Sequence, residues 1–128
     1  MLTDYATGFA HVGIPAKDLD ETVDFYKSLG FKVLGIFPNG ANRCAFVSFN
    51  DLLIETWEGD QPAMQAGAIN HVSLNATDVD KAFVQAKAQG LNVVEDEVQS
   101  IPSFWEHGIR FFNILGPNHE TIEFCQKL

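Results

Sequence analysis

Two histidines and two glutamates recur in this 128-residue chain at positions that invite a common chemistry. His11 lies in Phe9-Ala10-His11-Val12-Gly13-Ile14, and His71 lies 60 positions later in Ile69-Asn70-His71-Val72-Ser73-Leu74. Glu55 ends Leu52-Leu53-Ile54-Glu55, and Glu123, in Ile122-Glu123, lies 68 positions later. Two imidazoles and two carboxylates make a mixed nitrogen–oxygen set suited to one borderline divalent ion such as Ni²⁺, Zn²⁺, Co²⁺, Fe²⁺ or Mn²⁺. In an octahedral field they leave two positions for water or for substrate oxygens. Such an ion can polarise a carbonyl and stabilise an enediolate, while a carboxylate beside it takes the proton from the adjacent carbon. A single histidine in a strand is usually structural, and a single glutamate near a strand end is usually just solvated. Two matched pairs at repeat-related positions point to a metal site instead.

Strand periodicity decides where these side chains point, because successive residues face opposite sides. In a first strand from about Gly8 to Ile14, Val12 and Ile14 share a face suited to helix packing, and His11 points the other way. Val72 and Leu74 pack while His71 points away. Leu52 and Ile54 pack while Glu55 points away, and Ile122 and Phe124 pack while Glu123 points away. All four groups fall on the concave side, away from the helices, where ionisable groups in apolar surroundings need a compensating cation.

The elements that carry them repeat in order. Asp18 is an N-cap with Glu21 as its capping-box partner, and Leu19, Val23, Tyr26 and Leu29 form the helical stripe that follows. Gly30 closes the helix. A strand is expected over 31–36, a turn at Pro38-Asn39-Gly40, a strand from Cys44 to Phe49, a hairpin turn at Asn50-Asp51 and a return strand from Leu52 to Trp57. The second half predicts a strand from Ala68 to Asn75, a cap at Thr77 or Asp78, and a helix with Val79, Phe83 and Ala86 on one face. Gly90 then answers Gly30. Strands are expected over 91–94, 109–115 and 120–126, with a polar stretch at 95–100, a loop at 101–108 and a turn at Gly116-Pro117-Asn118. Each half reads β-α-β-β-β, an internal repeat with an eight-residue insertion in its second copy. One such unit leaves a sheet face bare, so two must join, within a chain or across a dimer. The expected organisation is an N-terminal module at 1–58, a linker at 59–67 and a C-terminal module at 68–128, together one α+β domain.

Bulk composition narrows the partners. The chain is 46% hydrophobic, enough for a real core, and carries a net charge of −9 with no basic run, which argues against nucleic acid. No apolar run approaches the roughly 20 residues of a membrane span. The N-terminus lacks the regions of a signal peptide, so the expected location is the cytoplasm. Cys44 and Cys125 are too few for a disulfide framework and read as buried structural thiols.

The sequence resembles the vicinal oxygen chelate superfamily (glyoxalase, bleomycin resistance and dioxygenase proteins), and within it bacterial glyoxalase I. The resemblance covers nearly the whole chain. It rests on His11-Val12-Gly13-Ile14, Asp18-Leu19-Asp20, Phe25-Tyr26 through Leu29-Gly30-Phe31, Ile54-Glu55, His71-Val72-Ser73-Leu74, and Gly116-Pro117-Asn118 followed by Ile122-Glu123. It implies a curved, barrel-like mixed sheet with helices outside, and a homodimer. It places the ligands on His11, Glu55, His71 and Glu123, the proton-moving base on Glu123, and a second carboxylate and partner base on Glu55. The implied activity is that of a metal-dependent lyase or isomerase, acting through a metal-bound enediolate on a small α-hydroxycarbonyl or hemithioacetal. The alternatives are an epimerase of the same superfamily and a non-catalytic protein that binds a small molecule such as an antibiotic.

Other residues are candidates for holding substrate. Arg43 and Arg110 begin strands in corresponding parts of the two halves, and either could clamp a carboxylate or phosphate. Trp57 shares the inward face of Glu55 and either walls the pocket or fills the core. Phe104 and Trp105 lie in a loop, where two aromatics would cover the pocket or a dimer contact. His107 and His119 read as surface histidines.

Overall fold

The duplicated sequence folds into two units, Met1–Pro62 and Ala63–Leu128, described by a computed structural model that covers residues 1–128. The first unit runs β1 (Val12–Pro15), α1 (Leu19–Ser28), β2 (Lys32–Asn39), β3 (Asn42–Phe49) and β4 (Leu52–Trp57). Its sheet has the order β1-β4-β3-β2, parallel between β1 and β4 and antiparallel elsewhere. The second unit runs β5 (Val72–Asn75), α2 (Val79–Ala88), β6 (Asn92–Val93), β7 (Gln99–Ile101), β8 (Ile109–Leu115) and β9 (Thr121–Lys127). Its sheet has the order β5-β9-β8-β6, with β7 also on β8 and a parallel β5/β9 pair. This is the mixed α+β architecture expected, two helices on two mixed sheets.

Local signals set the helices. The side chains of Asp18 and Asp78 each accept a hydrogen bond at 3.0 Å, from the backbone N–H of Glu21 and Lys81 respectively. Of the two candidates for the second cap, the structure therefore uses Asp78. Gly30 and Gly90 follow the helix ends with φ of +99° and +70°, the left-handed conformation that stops a helix. α1 buries Leu19, Thr22, Val23 and Tyr26 over the sheet, with Ala16 and Ala45 in the same cluster. α2 buries Val79 and Ala86, and Phe83 meets Phe112 edge-on at 5.3 Å. Fully buried aliphatics such as Leu19, Val47, Ile54 and Ile114 each contribute about 1.5–3 kcal/mol.

Several boundaries differ from the sequence reading, for visible reasons. β1 and β5 begin only at Val12 and Val72, where their parallel ladders start opposite Ile54 and Ile122. Pro38 and Asn39 belong to β2, opposite Arg43 and Asn42, so the turn is Gly40-Ala41 instead. Proline is tolerated because β2 is an edge strand. The polar stretch after Val94 contains a short strand, β7, which the sequence reading treated as irregular. The offset between the units is 60 up to Val93, 67 at Arg110 and 68 at Glu123, so the extra residues lie mostly around β7 and the loop after it.

One polar group in the first core lacks a partner. Thr56, wholly buried on β4, has no hydrogen bond to its Oγ1. Such a group costs free energy that an apolar isostere recovers. Thr56→Val keeps the branched shape and should raise unfolding stability by about 1 kcal/mol. Urea denaturation checks this, and a lower midpoint would refute it.

Candidate functional site

The parallel pairing of first and last strands builds each half of the site. Gly13 lies opposite Glu55, and Ser73 lies opposite Glu123. Two positions earlier, just ahead of each first strand, come His11 and His71. The side chains of His11 and Glu55 meet, Nε2 to Oε2, at 2.8 Å, with 39% and 30% of each exposed. His71 Nε2 stands 3.8 Å from Glu123 Oε1. Each histidine is thus brought to the glutamate of its own unit. No group of three or more His, Cys, Asp or Glu poised to hold a metal ion is assembled.

The surroundings of the two pairs differ. In the first unit, Phe46 lies opposite Glu55 and meets the His11 ring edge-on at 6.2 Å, and Phe37 adjoins Phe46 at 6.1 Å. The Trp57 ring covers Gly13, where a Cβ would stand 3.1 Å from it, and Trp57 Nε1 donates to Asp60 at 2.7 Å. Trp57 therefore lies beside the pair. The Cys44 thiol sits 3.5 Å from Glu55 Oε1, and burial first, then this carboxylate, push its pKa up. In the second unit, Asn113 takes the place of Phe46 opposite Glu123. Its N–H and Nδ2 donate to the Glu95 carboxylate at 2.7 and 2.5 Å. Glu95 thereby fills the gap in the β8 ladder between β6 and β7. Cys125 is half-buried and also shifted up, by burial and then by the charge of Glu123. Both cysteines are free.

The arginines are placed otherwise than the sequence suggested. Arg43 alternates with Ala45 and Val47, and Arg110 with Phe112 and Ile114, so both point to the helix side. Arg43 donates to Glu58 at 2.6 and 3.1 Å and to Asp20 on α1 at 3.1 and 3.3 Å. Arg110 makes a two-pronged bond to Asp80 on α2. These repeat-related clamps tie the first turn of each helix to its sheet, and both guanidiniums are engaged there by carboxylates. Phe104 and Trp105 are 48% and 70% exposed beyond the start of β8, and Lys127 stacks on Trp105 at 4.0 Å. Lys127 shares the face of Glu123, but its Cα lies roughly 13 Å further along β9. His107 pairs loosely with Glu106 at 3.6 Å, and His119 bonds the carbonyl of Met64 at 2.9 Å. Sequence reasoning missed Ser73, Phe46, Asn113 and Glu95 as neighbours of the pairs. Ser73 was within reach, since it sits two positions after His71 and therefore on the same face.

The family model for the Glyoxalase/Bleomycin resistance protein/Dioxygenase superfamily matches residues 8–124. The chain belongs to this superfamily. A protein of Bacillus subtilis (strain 168) described as uncharacterized protein YwbC is 29% identical over 126 residues, covering 91% of this chain and 95% of its own. Solved structures with the same fold include fosfomycin resistance protein FosX from Listeria monocytogenes, complexed with Mn(II) and sulfate. It is 17% identical with a TM-score of 0.72, over 95% of this chain and 93% of its own. A glyoxalase I mutant from Zea mays is 19% identical with a TM-score of 0.76, over 91% of this chain and 44% of that longer one. No helix of the chain is long and apolar enough to cross a membrane.

The Arg43 clamp carries a pH signature. Hydrogen bonds from Arg43 hold the Glu58 carboxyl below its ordinary value of 4.5. A carboxylate lowered on folding adds stability above its unfolded pKa, and that contribution is lost as pH falls through the lowered value. Glu58→Gln should therefore melt below wild type at neutral pH, with the gap closing as pH drops below about 4.5. A melting series from pH 7 to 3 tests it, and a gap that stays constant would contradict the assignment.

Proposed function

We propose that this chain is a metal-dependent lyase or isomerase of the glyoxalase I kind. Its reaction would be proton transfer next to a carbonyl on a small α-hydroxycarbonyl or hemithioacetal substrate. The observation that carries the reading is the recurrence, in both units, of an imidazole and a carboxylate at equivalent register positions and in each other's reach. The donor chemistry fits one divalent ion of the Ni, Zn, Co, Fe or Mn group, with His11, Glu55, His71 and Glu123 as its ligands. His11 and Glu55 already stand within hydrogen-bonding reach of one another, as two groups that share an ion need to.

The ion would supply Lewis acidity at the carbonyl oxygen and steady the negative charge that develops there. The rest falls to the chain. Glu123 accepts the proton from the adjacent carbon and returns it, and Glu55 serves as the second carboxylate. Trp57 and Phe46 border the first pair, with Phe37 beyond Phe46. Both guanidiniums lie on the far side of their sheets, so neither meets an anionic substrate tail at the His–Glu face. That favours a small substrate and keeps the epimerase reading as the second choice. The exposed apolar residues of edge strand β2, Leu34, Ile36 and Phe37, fit a homodimer.

Two experiments test the reading. Dialysis against Ni²⁺ or Zn²⁺ followed by metal analysis should find about one ion per chain, and His11→Ala or His71→Ala alone should remove nearly all of it. Two ions per chain, each lost with one histidine, would refute a shared ligand set. Glu123→Gln should retain metal and lose methylglyoxal–glutathione turnover by about 10²–10⁴-fold. Absence of wild-type turnover, with deuterium exchange into an α-hydroxycarbonyl compound, would move the assignment to the epimerase.

A further inference from the structure

The two glutamates hold equivalent positions but are not held in the same way. Ser73 Oγ donates to Glu123 Oε1 at 2.7 Å, from the residue directly beside it on the parallel partner strand. His71 stays 3.8 Å from that oxygen, and its Nδ1 is engaged with Asn70 Oδ1 at 2.9 Å. The equivalent position in the first unit is Gly13, which has no side chain and lies under the Trp57 ring. Glu55 turns instead to its own histidine at 2.8 Å, with only the Cys44 thiol at 3.5 Å on its other oxygen. A thiol is a weak donor, whereas a hydroxyl to a carboxylate is a short, charge-assisted bond.

We infer that Ser73 is a positioning residue that presets Glu123 for cation binding by holding its carboxylate in place beside His71. This rests on the metal-centre reading given above. Glu55 is the contrasting case. Its oxygen is taken by the imidazole with which it would share the ion, so the first pair must part on binding. The serine spares the second unit that rearrangement and the loss of rotamer freedom that ordering a glutamate entails. Partners behind a ligand that fix its orientation commonly change metal affinity by 10–100-fold.

The test is calorimetric Zn²⁺ binding, with Co²⁺ absorption as a second readout, on wild type, Ser73→Ala and Ser73→Thr. Ser73→Ala should weaken Zn²⁺ binding by about 10–100-fold and alter the Co²⁺ spectrum, with an unchanged melting temperature for the metal-free protein. Ser73→Thr keeps the hydroxyl and should recover affinity to within about threefold. Wild-type affinity and spectrum in Ser73→Ala would overturn the inference and leave the metal centre standing. An equal loss in Ser73→Thr, accompanied by a lower melting temperature, would also overturn it, because a merely structural role behaves so. A wild type that binds neither ion would remove the metal-centre reading itself, and the role of Ser73 with it.

Discussion

Everything at the site depends on one constraint, the parallel ladder between the first and last strands of each unit. Parallel neighbours cannot be joined by a tight turn, so a long crossover must separate them. Here the crossover is a helix and the intervening strands, which is why partners at the ladder stand about forty or fifty residues apart in sequence yet side by side in space. The pairing fixes register, and register fixes face. A slip of one residue on β4 would turn Glu55 towards the helix and bring Ile54 out beside His11. The apolar alternation of Ile54, Ile122 and Phe124 makes such a slip costly, because it would expose buried surface. Core packing on one face thus holds the polar pair on the other.

Repetition gives the two units the same frame, and local substitution gives them different linings. Phe46 in the first unit becomes Asn113 in the second, and Gly13 becomes Ser73. The first pair stands among rings and the second among hydrogen-bonding groups. The extra residues of the second unit break the strand that corresponds to β2 into β6 and β7. The break leaves the Asn113 N–H without a ladder partner, and Glu95 supplies one. An insertion that would otherwise strand a backbone donor instead brings an anchored polar group beside Glu123.

The sequence made much of this legible because the decisive signals are periodic or local. The alternation around His11 and His71 and the aspartates before each helix lead directly to strands and helices. The strand limits were harder to read, since β1 begins where its ladder to Ile54 begins, a relation between distant segments. β7 was hidden for a similar reason: Gln99-Ser100-Ile101 has little strand character and is held by Ile109, Arg110 and Phe111. The arginines show the limit most clearly. Their repeat-related placement was visible, but their engagement with Asp20, Glu58 and Asp80 depends on contacts that composition and spacing do not encode. The proposal that the two pairs serve one ion rests on the chemistry of the donor set rather than on the fold.

That engagement also bears on why the chemistry sits where it does. A guanidinium within a few ångströms of Glu55 or Glu123 would stabilise the carboxylate, weaken it as a base and compete with a divalent ion for its oxygens. Both sheets carry an arginine that could have done so, and in both the alternation sends it to the helix face, where an aspartate in the first helical turn receives it. The same carboxylates favour the positive end of the helix dipole, so the clamp and the helix terminus reinforce one another. With both guanidiniums on the helix side and a net charge of −9 over the whole chain, the long-range field favours cations over anions. The fold therefore separates what stabilises it from what would react, one sheet face for each, and repeats the arrangement in both units.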